Sequence, residues 1–204
     1  MHREAHWETL HREKAADAVS WYRPHLDVSL ELIEEFGEER SSSIIDVGAG
    51  QSTLVDDLLT LGYERLTVLD LSAAAIEAVQ RRLGDRGGRI RWLVGDVTAV
   101  DLEPASYDVW HDRAVFHFLT ETADRGAYVR RVRRALRPGG HAVLGTFALD
   151  GPPKCSGLDV VRYDAAALQA EFGAAFQLVK AVDEEHRTPF GTAQPFQYGC
   201  FRMG

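Results

Sequence analysis

Short apolar runs recur along the chain at residues 43–47, 65–70, 90–94, 107–111 and 141–147, and the segments between them space their apolar residues for one helical face. Residues 53–61 carry Leu54, Val55, Leu58, Leu59 and Leu61 and stop at Gly62, and residues 73–83 carry Ile76, Val79 and Leu83 ahead of Gly84. A third helix is predicted over 121–136. Pro138-Gly139-Gly140 ends it, and the strand from Ala142 to Thr146 follows at once. Strands alternating with helices predict an α/β domain whose parallel sheet is covered on both faces through right-handed crossovers. Past residue 157 the alternation loosens to one helix over 165–172 and two strands over 176–183 and 196–202. A loop rich in Thr, Pro and Gly joins that pair, which suits antiparallel strands closing a sheet edge. Asp150-Gly-Pro-Pro-Lys-Cys-Ser-Gly157 reads as a long loop inside the domain.

With 204 residues, 45% hydrophobic and 26% charged, the chain fits a single domain with a sizeable core. A formal net charge of −8 opposes attachment to polyanions, so nucleic acid is not the expected partner. Met1 to Lys14 is studded with charge and lacks the apolar core of a secretory signal, and no apolar run approaches membrane-spanning length. The expected location is cytoplasmic. Two distant cysteines, Cys155 and Cys200, fit a reduced compartment and give no disulfide framework or zinc cluster.

Chemistry enters at Asp46-Val-Gly-Ala-Gly-Gln-Ser-Thr-Leu54, a strand-end carboxylate followed by a glycine turn that opens a helix. Gly48 and Gly50 let a ligand lie against the backbone. A dinucleotide fingerprint would place a third glycine at position 53, beside the pyrophosphate, and the chain has Thr53. A diphosphate ligand is therefore disfavoured. S-adenosylmethionine carries a ribose diol, an ammonium and a carboxylate but no phosphate, so acidic groups around the turn become useful. Asp70 closes the second strand twenty positions after Gly50, where a carboxylate accepts both hydrogen bonds of a ribose diol or, more plainly, caps the next helix.

Asp46 with Gly48 and Gly50, Asp70, Gly95-Asp96 and Leu136-Arg-Pro-Gly-Gly140 before a strand, in this order, resemble the class I S-adenosylmethionine-dependent methyltransferases. The resemblance covers most of the chain. It implies a Rossmann-like, seven-stranded, mostly parallel sheet with an antiparallel last strand. Gly48 and Gly50 would lie under the methionine part, Asp46 nearby, Asp70 and Leu71 at the ribose, and Asp96 and Val97 at the adenine. It also implies a helical lid over residues 1–40, with Trp21 in Val19-Ser-Trp-Tyr-Arg-Pro-His25 over the cofactor, a core over 41–148, and a substrate-side loop with closing strands over 149–204. S-adenosylhomocysteine would be the product.

Trp110-His-Asp-Arg113, followed by small residues, is similar to thiopurine and small-thiol methyltransferases, and more loosely to lysine methyltransferases with Asp-Lys-Gly. His111 is an extra residue in that comparison. Gly151-Pro152-Pro153, Glu184-Glu185-His186 and Phe190-Gly191 look like the same group's substrate-side segments. The implied activity is in-line methyl transfer to a small molecule, with a thiol or other soft nucleophile as acceptor. His111 and Arg113 line the reacting centre in this reading, His111 also touching the cofactor, and His111 or His186 takes the proton. Protein-lysine methylation, NAD(P)-dependent oxidoreduction and a catalytically silent cofactor-binding module are the alternatives. His2, His6 and His11 lack a recognised ligand spacing and read as part of a solvated helix, with no metal site expected. Cys155 reads as an ordinary loop cysteine.

Overall fold

The computed structural model describes residues 3–204; His2 lies outside them. Helix α1 spans Arg3–Glu13 and α2 spans Asp27–Phe36. Then come β1 (Ser43–Val47), α3 (Leu54–Thr60), β2 (Arg65–Asp70), α4 (Ala73–Leu83), β3 (Arg91–Val94) and β4 (Tyr107–Arg113). The chain continues through α5 (Thr122–Ala135), β5 (Leu136–Phe147), the short strands β6 (Lys154–Cys155) and β7 (Leu158–Asp159), α6 (Ala165–Phe172), β8 (Phe176–Arg187) and β9 (Ala193–Met203).

Seven strands form one sheet in the order β3-β2-β1-β4-β5-β9-β8. The first five are mutually parallel, and β9 runs antiparallel to both β5 and β8. This is the expected Rossmann-like architecture. Every residue of β1 is buried, because helices cover both sheet faces and a central parallel strand meets no water. Alternation along β1 sends Ile44 into the core beneath α2, α3 and α4, and Ile45 and Val47 into the core beneath α5 and α6. Ser72 accepts from the Ala75 amide to cap α4, and Asp164 accepts from the Ala167 amide to cap α6.

Several boundaries differ from the sequence reading, each for a local reason. Strand β5 begins at Leu136, which pairs with Tyr107; residues 137–140, turned through the left-handed Gly139 (φ +80°), bulge out before His141 pairs with Val109. The loop at 150–157 contains half of a small hairpin, β6–β7, turned through Ser156 (φ +51°) and Gly157 (φ +80°). The segment 19–25 is not helical: after a 3₁₀ turn at Ala16–Ala18 it crosses in extended and turn conformations. Pro24 has no amide to donate and disfavours helical geometry at Arg23. Among the described residues no helix is long and apolar enough to cross a membrane. Both cysteines are buried free thiols.

Gly145 of β5 pairs with Tyr198 of β9, and a Cβ there would stand 2.8 Å from the Tyr198 ring. Gly145→Ala is expected to lower stability by about 1–3 kcal/mol through overpacking. A reduced urea midpoint at unchanged slope checks this; an unchanged midpoint would show that the ring yields freely.

Candidate active site

Chain order reverses between β1 and β4, since β2 and β3 build outward on one side and β5 on the other. Such a switch point opens a crevice beyond the strand C-termini. Leaving β1, the chain turns through Gly48 (φ +67°) and Gly50 (φ +54°), and a Cβ on Gly48 would fall 1.9 Å from Val115 Cγ2. The Gly48 amide donates to the Leu69 carbonyl at 2.7 Å. Asp70 sits buried beside this turn, its Oδ2 accepting from the Gly50 amide at 2.7 Å and its Oδ1 from the Ser72 amide at 2.8 Å. Burial pushes its carboxyl up to about 6; the backbone amides oppose that rise and the charge of Asp46 adds to it.

The crevice has two lobes that meet at its centre. Asp46, Ala49, Ser52 and His111 line the first, and Asp70, Leu71, Asp96, Val97, Phe118 and Cys155 line the second. His11, Trp21, Gly48 and Arg113 belong to both and mark their junction. All nine expected cofactor-side positions line one or other lobe, Asp46, Gly48, Gly50, Asp70, Leu71, Asp96, Val97, His111 and Trp21.

The residues fit S-adenosylmethionine on their chemistry. Asp46 Oδ2 is buried without a partner among the described residues, and an acceptor-only oxygen beside a glycine floor suits an ammonium. Asp70 keeps acceptor capacity for a diol. Asp96 is braced through Oδ1 by the Thr98 amide (2.8 Å) and hydroxyl (2.7 Å), and Leu71 and Val97 supply apolar walls for a base.

Strand β4 alternates, so His111 and Arg113 share one face while Trp110 and Asp112 share the other. On that far side Trp110 Nε1 donates to Tyr128 Oη at 2.9 Å, and Tyr128 donates to Asp112, which also accepts from the Val115 amide at 2.8 Å. His111 faces the first lobe, its Nδ1 2.7 Å from Asp46 Oδ1. Arg113 is fixed on every side. Its guanidinium lies 4.3 Å over the Phe196 ring, Nε donates to Tyr198 Oη at 3.1 Å and Nη1 to the Trp21 carbonyl at 3.4 Å. Nη2 is 3.6 Å from Glu184 Oε2 and buried without a hydrogen-bond partner.

His186 is the expected site residue that the structure moves away. It is buried and lines neither lobe, and Nε2 lies 2.7 Å from the Ser20 carbonyl, which makes this nitrogen the donor. Burial lowers its pKa, so it stands as a neutral tether for the segment carrying Trp21.

Sequence reasoning missed α1. Instead of a solvated helix, α1 places Trp7 and His11 in the crevice, one turn apart. Glu8 accepts from the Ser72 hydroxyl at 2.7 Å and the Ala74 amide at 3.1 Å, which fastens α1 to the first turn of α4. Burial pushes His11 down to about 4, against a smaller upward pull from Glu8, so it is neutral at pH 7. Cys155, read as a plain loop residue, lines the second lobe, with burial holding its thiol neutral at about 12. Among the described residues no group of three His, Cys, Asp or Glu is placed to hold a metal ion.

Residues 44–140, just under half of the chain, match a family described as methyltransferase domain. The fold and the crevice agree with this match and support an enzyme of the class I methyltransferases with S-adenosylmethionine as cofactor. Among curated proteins, the eEF1A lysine and N-terminal methyltransferase of Danio rerio is 25% identical over 146 residues, 70% of this chain and 21% of that protein. The chain thus spans about a fifth of the length of that relative. Among solved structures, the protein described for conversion of a disulfide bond into a thioacetal group during echinomycin biosynthesis aligns with a TM-score of 0.79 and 20% identity. That alignment covers 99% of this chain and 92% of the other. Burkholderia thailandensis 1,6-didemethyltoxoflavin-N1-methyltransferase, solved with 1,6-didemethyltoxoflavin and S-adenosylhomocysteine bound, aligns with a TM-score of 0.67 and 21% identity over 86% of this chain and 76% of that one. At these identities the structural likeness speaks for the fold.

With Asp70 in its proposed role, a ribose diol would donate to the ionised carboxylate, so cofactor binding would favour the deprotonated form. Affinity for S-adenosylhomocysteine is then full above about pH 6 and falls below it by up to about tenfold per pH unit. Calorimetry across this range checks the slope. Asp70→Asn is expected to bind more weakly throughout and to lose the dependence; an unaltered dependence would place its origin elsewhere.

Proposed function

We propose that the chain transfers a methyl group from S-adenosylmethionine to a small molecule whose acceptor atom is sulfur or another soft nucleophile. The observation that carries this reading is Arg113, a guanidinium immobilised where the two lobes meet, whose buried Nη2 has no hydrogen-bond partner among the described residues. Arg113 and Arg23 flank the carboxylate of Glu184; Arg23 meets it at 2.5 Å and also pairs with Asp27 at 3.3 Å, whereas Arg113 stands 3.6 Å from it. The Arg113 guanidinium at the junction stabilises an anionic nucleophile such as a thiolate. A free thiol of pKa about 8.5 needs only a modest shift to ionise at neutral pH.

When bound, the cofactor supplies an activated methyl group on sulfonium. The protein has to orient the acceptor and exclude water, and orientation alone supplies several kcal/mol of barrier reduction. Trp7, Trp21 and Phe118 wall the junction, with Trp7 5.8 Å from Trp21 and 5.1 Å from Phe118 between ring centroids. The two structural neighbours described above are associated with small-molecule chemistry, one of them at sulfur. Lysine methylation, the activity in the name of the curated relative, is the second reading. The same charge weighs against it, since an approaching ammonium meets the fixed guanidinium.

A panel of thiols, selenols, phenols, amines and carboxylates incubated with S-adenosylmethionine, read by mass spectrometry, is expected to give methylated thiol. Arg113→Gln should lower its turnover by about 10²–10³-fold, the range seen when one stabilising donor is removed. Transfer to a lysine peptide alone would overturn the small-molecule reading. Cofactor binding with no turnover on any acceptor would favour a silent binding module.

A further inference from the structure

Asp46 and His111 are cross-strand neighbours in the parallel β1–β4 register, at the ends of the two central strands. Both are buried, His111 1% and Asp46 4% exposed, and Nδ1 stands 2.7 Å from Oδ1. A carboxylate only accepts, so in the neutral imidazole the proton sits on Nδ1 and the other nitrogen, Nε2, presents a lone pair. Nε2 is buried and has no partner among the described residues. An unpartnered buried nitrogen costs free energy unless a ligand meets it. His111 lines the first lobe and stands two residues before Arg113 on the same face of β4, so a lone pair and a guanidinium flank one end of the crevice together.

The other histidines do not share this arrangement. His11 has no carboxylate bonded to its ring, His186 is tied to a backbone carbonyl, and His117 takes the Phe147 amide on Nδ1 at 3.3 Å outside both lobes. Among the described residues only His111 combines an orienting carboxylate with a free nitrogen in the crevice.

Resting on the methyl-transfer reading, we propose that Asp46 and His111 form a proton-accepting pair, and that the acceptor is a molecule whose attacking atom still carries a proton when it binds. The acceptor's X–H bond breaks and its proton passes to His111 Nε2. The electron pair left on X forms the new bond to the methyl carbon, and the carbon–sulfur bond breaks with its pair staying on sulfur. Asp46 is a positioning residue: it fixes the tautomer, offsets the imidazolium charge, and keeps Oδ2 for the cofactor. Acceptors reacting through a neutral lone pair, such as thioethers, gain nothing from the pair, whereas thiols and acidic O–H or N–H groups do.

Two measurements decide it. In the S-adenosylhomocysteine complex of the ¹⁵N-histidine-labelled protein near neutral pH, His111 is expected to show a protonated Nδ1 and a bare Nε2, with the preference lost in Asp46→Asn. A protonated Nε2 overturns the proposal without touching the methyltransferase reading, which fails instead if the parent protein does not bind the cofactor product. In the second, para-substituted thiophenols of graded acidity serve as acceptors. His111→Gln should lose about 10²–10⁴-fold on the least acidic thiol and recover toward the parent rate on the most acidic, each measured at saturating S-adenosylmethionine. An equal loss on every thiophenol would show that His111 does not take the acceptor's proton and would overturn the proposal.

Discussion

The site depends on one buried carboxylate joining two strand ends. Asp70, closing β2, accepts from the Gly50 amide in the turn after β1 and from the Ser72 amide at the start of α4. Those bonds set the glycine floor at a fixed height over the sheet and aim the first turn of α4 at the same opening. The cost shows in its carboxyl, which burial raises to about 6. In the role proposed for it, this carboxylate would also accept from a ribose diol, so the fold's stability and ligand affinity would meet at one side chain. Ser72 extends the link, because its hydroxyl donates to Glu8 and so connects α1 to the same corner.

Opposite this corner stands a polar cluster that holds the crevice's other wall. Glu184 on β8 meets Arg23 and accepts from Tyr198 at 3.2 Å, and Tyr198 in turn lies 3.1 Å from Ser29 on α2. Arg113, at the end of β4, sits among them, and His186 and Arg113 both bind carbonyls of the segment that carries Trp21. A charged group left in a low-dielectric wall acts strongly on whatever lies beside it. The segment 19–25 is therefore positioned by the distal strands of the sheet, with no helix of its own, and the antiparallel edge pair that looks like simple closure in the sequence is part of the site.

Much of this was legible in the residues because strand ends carry their chemistry next to recognisable punctuation. Asp46 before the glycine turn, Asp70 after an apolar run and Asp96 after Gly95 each occupy a place where parallel sheets gather ligands, and all three line the crevice. What could not be read was tertiary. Helix α1 has only Leu10 buried and little amphipathic pattern, so nothing local shows Trp7 and His11 turning inward. Likewise Trp110-His-Asp-Arg113 looks like a motif with one residue too many, until alternation along β4 sorts Trp110 and Asp112 to a structural network and His111 and Arg113 to the crevice. His186 had the right chemistry but its backbone partner at Ser20, 166 residues away, lies beyond any sequence pattern.

The most direct measurement is a crystal structure with S-adenosylhomocysteine. The account predicts the ribose hydroxyls on Asp70, the adenine between Leu71 and Val97 with Asp96 at its edge, and the sulfur at the junction shared by Gly48, Trp21 and Arg113. A ligand bound away from the Gly48 turn, or a ribose out of reach of Asp70, would contradict it.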